Sequence, residues 1–137
     1  MKNAVIDTNV IVSALLTKNP QSPTARILDA VMDGEITTFH SPEIIDEYRK
    51  VLSRIQFNFD ADIVESMINQ FTSIGRSVSP TEPDTETFPD PDDKIFYCVA
   101  LAAQDDNAVL VTGNTRHYPS APFVVTPAEF SAMLEDL

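Results

Sequence analysis

The sequence predicts an α/β fold in which helices cover both faces of a parallel sheet. Three observations carry that prediction. Short runs of β-formers alternate with longer helical patterns. The strongest runs are apolar throughout rather than alternating, as strands buried on both faces require. A capping residue followed by proline recurs at Ser22-Pro23, Ser41-Pro42, Asp90-Pro91 and Thr126-Pro127, each pair reading as the N-cap and first residue of a helix.

The first strand, Ala4-Val5-Ile6, stops abruptly at Asp7-Thr8-Asn9. Helices are expected at about 10 to 17, 23 to 33, 42 to 55, 61 to 74, 91 to 105 and 127 to 136. Strands fall between them at Ile36 to Phe39, Arg76 to Ser79, Ala108 to Thr112 and Phe123 to Val125. The segment Ser79 to Pro89, with three prolines and three acids, reads as an exposed loop. At the end, Thr126-Pro127-Ala128-Glu129 forms a capping box, and Phe130, Met133, Leu134 and Leu137 mark one helical stripe.

A chain of 137 residues without repeats is expected to be one domain, large enough to bury its own core without a metal or disulfide. The lone Cys98 lies in an apolar run and reads as a small hydrophobe in a reducing compartment. With no signal segment and no apolar run of ~18 residues, the expectation is a cytoplasmic protein off the membrane. The formal charge of -12 repels nucleic acid and favours a basic partner, so a nucleic-acid substrate requires divalent cations and a local cluster of Lys and Arg.

Three gatherings of acids stand out. Asp7 ends the first strand, where α/β folds collect ligands, although an Asp there also serves as a helix cap. On the helix from Ser41, the residues Ile44, Ile45, Tyr48, Val51, Leu52 and Ile55 form an apolar stripe. At ~100° per residue Asp46 faces away from it, while Glu47 falls on its edge, turned inward. A carboxylate held against apolar surface needs a cation or donor, unless it snorkels to solvent. The third gathering, Asp90-Pro91-Asp92-Asp93, followed by Lys94, opens an apolar helix. Capping and the helix dipole account for one or two of these acids; a divalent cation accounts for all three. A further strand end, Val111-Thr112-Gly113-Asn114, mirrors the first: Thr112 and Asn114 offer neutral oxygens or simply make a turn, and Arg116 and His117 follow.

In order and spacing, these motifs resemble the PIN-domain ribonucleases, and more narrowly the PIN-family toxin components of bacterial toxin-antitoxin systems. The resemblance covers nearly the whole chain. It implies a three-layer α/β/α fold around a central, mainly parallel five-stranded sheet in order 3-2-1-4-5, with acids binding Mg²⁺ or Mn²⁺ at the carboxyl ends. Asp7, Glu47 and Asp93 match the family's three core acids. Asn114 stands where a fourth acid is common, with Asp92 or His117 available to compensate. Thr8, Asn9 and Thr112 would support the site, with Lys94 and Arg116 meeting the scissile phosphate. The resemblance further implies an RNA substrate, 5′-phosphate and 3′-hydroxyl product ends, a homodimer, and a cognate antitoxin.

Two other classes are compatible with an acid after the first strand. One is a PIN-like fold kept only for binding, which the Asn114 departure favours. The other is a phosphoaspartate-type phosphatase or receiver. Against it stands Asn9, where a haloacid-dehalogenase-type phosphatase has a second Asp, and the lack of a middle-strand Asp with a late Lys.

Overall fold

The computed structural model describes residues 2–83 and 88–135. Five strands, β1 (Lys2–Ile6), β2 (Ile36–His40), β3 (Arg76–Ser77), β4 (Val109–Val111) and β5 (Val124–Val125), form one sheet in order β3-β2-β1-β4-β5. Every pairing is parallel. Six helices flank it: α1 (Thr8–Leu16), α2 (Pro23–Met32), α3 (Pro42–Leu52), α4 (Ala61–Ile74), α5 (Lys94–Ala102) and α6 (Pro127–Glu135). The α/β/α layering and the strand order are those the sequence and the resemblance predict. No helix among the described residues is long and apolar enough to cross a membrane.

β1 is central because Ala4, Val5 and Ile6 carry nothing that needs water; all three are buried on both faces. The four proline-marked helix starts are all capped as expected. Ser22 accepts from Ala25 N and Ser41 from Ile44 N. Asp90 accepts from Asp92 N, and Thr126 and Glu129 bond reciprocally.

Tyr48 joins the layers. Its ring meets Phe71 of α4 edge-on at 5.5 Å and lies 6.2 Å from Phe96 of α5. Its hydroxyl donates to the Ile6 carbonyl at 2.5 Å, fixing α3 against the last residue of β1. Glu47, one residue earlier on α3, is thereby carried to the end of β1.

Strands β3, β4 and β5 are shorter than expected, and three helix boundaries differ too. α3 ends at Leu52, so Ile55 leaves the apolar stripe and stands 94% exposed in a 3-10 turn, Ile55–Phe57. The helix expected over 91 to 105 is divided into a 3-10 turn Pro91–Asp93, α5, and a second 3-10 turn Gln104–Asp106. The first helix begins at Thr8 because Asp7 itself is its cap. Residues 84–87 of the expected loop, and Leu137 of the terminal stripe, lie outside the described residues.

Candidate active site

The strand order reverses between β1 and β4: the chain moves outward from β1 through β2 to β3, then crosses back to β4. Ligand sites form at such switch points, beyond the carboxyl ends of the strands. A cavity of about 680 Å³ opens there. It is lined by Asp7 and Asn9 after β1, Glu47 of α3, Asp90, Asp92 and Asp93 before α5, and Asn114 and His117 after β4.

Asp7 is both cap and site acid. Its Oδ1 accepts a long 3.4 Å bond from Asn9 N, while Oδ2 accepts from the Thr112 hydroxyl at 2.9 Å and the Tyr118 hydroxyl at 2.7 Å. The carboxylate is 4% exposed. Burial pushes its pKa up, and the Tyr118, Thr112 and backbone bonds partly offset that rise.

Asn9 and Thr112 tie the two strand ends together. Asn9 Oδ1 accepts from Gly113 N at 3.1 Å, and its amide nitrogen reaches Thr112 Oγ1 at 3.5 Å. Thr112 Oγ1 also accepts from Asn114 N at 3.0 Å. Thr8 is buried in the cavity wall, and its Oγ1 has no hydrogen-bond partner among the described residues.

Asp93 stands at the N-cap position of α5 but its side chain makes no capping bond; Asp90 caps the preceding 3-10 turn. Asp93 Oδ2 instead lies 3.2 Å from His117 Nδ1. Desolvation, then the charges of Asp7 and Asp90, raise the Asp93 pKa to about 6, against a lowering contribution from His117. Two acids from distant parts of the chain therefore feel each other's charge. Glu47 is half-buried on the cavity wall, and no hydrogen bond or ion pair engages it among the described residues.

Two of the expected phosphate contacts point elsewhere. Lys94 pairs with Glu82 at 2.8 Å, and Arg116 lines a separate surface depression with Tyr118 and Pro119. Neither lines the acidic cavity; its cationic side chain is Arg54, with His117 as a second basic group. Asp92 and Asn114 are exposed at the rim. Tyr118 escaped sequence reasoning altogether, since nothing local to it signals a bond to Asp7.

Among the described residues no three His, Cys, Asp or Glu side chains stand close enough to hold a metal ion as placed. The chemistry of the cavity nevertheless fits a hard divalent cation. Mg²⁺ keeps most of its waters and needs only one or two carboxylates, which Asp7 and Asp93 could supply, with Glu47 on the same cavity lining. The unpartnered Thr8 hydroxyl and the mutual charge repulsion of the acids are features that a hydrated cation would satisfy.

An uncharacterized protein of Methanocaldococcus jannaschii is 30% identical over 113 residues, covering 80% of this chain and 69% of its own length. No solved structure gives a significant match. The PIN domain family model matches residues 3–116, a span that carries every acid lining the cavity. Sheet order, acid placement and this match agree: the chain belongs to the PIN-domain family, whose members are generally nucleases that typically use divalent metals.

Proposed function

We propose that this chain is a Mg²⁺- or Mn²⁺-dependent endoribonuclease and the toxin component of a toxin-antitoxin pair. The observation that carries the nuclease reading is the convergence of Asp7 and Asp93, from separate elements, on one cavity at the sheet's switch point.

When bound, a divalent cation supplies an acidified water and neutralises charge on the phosphoryl oxygens. Asp7 and Asp93 would hold it through their carboxylates. Thr112 and Tyr118 occupy Asp7 Oδ2 and so leave Oδ1 turned to that task. Glu47, without a partner of its own, orients the attacking water and accepts its proton. The water oxygen bonds to phosphorus in line as the bond to O3′ breaks, and solvent returns a proton to the leaving oxygen. The products carry 5′-phosphate and 3′-hydroxyl ends. Arg54, on the same cavity lining, meets a substrate phosphate.

The charge of -12 supports a basic antitoxin segment as the partner that covers the acids, with RNA entering once it leaves. A homodimer belongs to the same proposal. The test is to express the parent beside Asp7→Asn and sequence cellular RNA ends. New 5′-phosphate ends with the parent alone support the reading; identical ends from both proteins overturn it. Failure of any neighbouring-gene product to bind the purified chain would overturn the toxin role alone.

A second reading, a PIN fold retained for binding, is favoured by the absence of three gathered ligands among the described residues and by Asn114. Thermal shift with Mn²⁺ separates the two, because a working site gains stability by mass action and a degenerate one does not.

A further inference from the structure

The cavity that holds the carboxylates is also lined by side chains of different chemistry, Leu16, Val51, Arg54 and Phe57. Phe57 lies against Phe59 with ring centroids 5.3 Å apart and planes 11° from parallel. Asn58 between them is left-handed at φ 52, which closes the 3-10 turn and sets the two rings face to face. Phe59 packs on the hydrophobic core, and Phe57 is outside it. Phe59 is thus the anchor, and the ring it supports forms part of the cavity wall.

Arg54 is exposed beside it and has no acid partner among the described residues, whereas Arg26, Arg49, Arg76 and Lys94 are all paired. An unpaired guanidinium next to a braced aromatic face is the chemistry that holds a base and its phosphate. The cavity volume, about 680 Å³, suits a ligand of nucleotide size, since such pockets run roughly 300–1,000 Å³.

We propose that Phe57 and Arg54 form a subsite for one unpaired nucleobase and its phosphate, next to the scissile bond. This rests on the nuclease reading and adds the residues that position the substrate. Stacking on Phe57 tolerates any base, because every base has a π-face. Arg54 sets the distance from that base to the acids.

The chain has no tryptophan, so Phe57→Trp installs a single indole reporter. Combined with Asp7→Asn and titrated with an oligoribonucleotide, it is expected to show quenched fluorescence, lost when the base at one position is replaced by an abasic residue. Phe57→Ala is expected to lower kcat/KM by about 5- to 150-fold, the range that ~1–3 kcal/mol of stacking implies, and to become insensitive to that abasic position. Phe57→Trp alone should restore the rate.

RNA cleavage equally fast in the parent and Phe57→Ala, with no quenching, overturns the subsite and leaves the nuclease reading intact. Base-dependent quenching in a protein whose parent never cuts RNA supports the subsite and overturns the nuclease reading. No quenching and no cutting overturns both.

Discussion

The Tyr118 hydroxyl donates to Asp7 Oδ2 at 2.7 Å across 111 positions of sequence, so the acid at the sheet's centre is aimed by a residue beyond β4. Hydrogen bonds to a charged group are worth about 1.5–3 kcal/mol, and this one acts against the burial that raises the Asp7 pKa. Tyr118→Phe should therefore raise that pKa further. The acid limb of the pH-rate profile is expected to move up by about one pH unit. An unmoved limb would show that Tyr118 only fills space.

Asp7→Asn is expected to abolish metal-dependent cleavage while raising stability at neutral pH. The Asp7 pKa in the fold lies above its usual value, so folding favours the protonated acid. That contribution is fully present below the unfolded pKa and is lost as pH rises through the folded one. At pH 7.5 the buried charge is a cost, and the amide removes it. Thermal melts should show a gain on the order of 1 kcal/mol, about 3 °C, at pH 7.5, and little difference near pH 3. A loss at pH 7.5 would contradict the sign.

The proposed metal binding should depend on pH through Asp93. With its pKa near 6, raised by burial and by Asp7 and Asp90, the carboxyl must lose a proton to act as a ligand. Stabilisation by Mn²⁺ is expected at pH 7.5 and should fade by pH 5. The His117 contact lowers this pKa, so His117→Ala should move the fading point to higher pH. Calorimetric titration across the range checks both.

Asn114→Asp places a carboxylate on the cavity rim where the resemblance expects a fourth acid. Tighter Mn²⁺ binding, by roughly tenfold, is expected, about the coupling of one charge at short range in a screened site. Unchanged affinity would mean that the rim does not face the ion.

Gly75 ends α4 where the backbone turns into β3. A Cβ there would lie 2.3 Å from the Phe71 carbonyl oxygen and 2.6 Å from that of Thr38. Both are backbone atoms and cannot swing away. Gly75→Ala is expected to cost about 1–3 kcal/mol in chemical denaturation while sparing the cavity residues.

The parts of this protein legible in sequence are those decided within a few residues. Ser22, Ser41, Asp90 and Thr126 cap their helices because the donors they satisfy lie two or three residues on. The apolar runs of β1 and β4 mark a buried parallel sheet because their own composition leaves water no role. Glu47 could be turned inward from helical angle alone, and the structure leaves it half-buried on the cavity wall.

What the tertiary structure decided is which side chains meet. The sequence placed Lys94 beside Asp93 and Arg116 close to Asn114, yet Lys94 pairs with Glu82 and Arg116 lines a different surface depression. Arg54 enters the cavity because α3 stops three residues earlier than its apolar pattern suggests. Tyr118 reaches Asp7 because β4 lies beside β1 in register, Ile6 opposite Val111. Local sequence sets backbone shape through nearest neighbours. The acids' partners depend on which strands lie side by side, and that is settled by burial across the whole sheet.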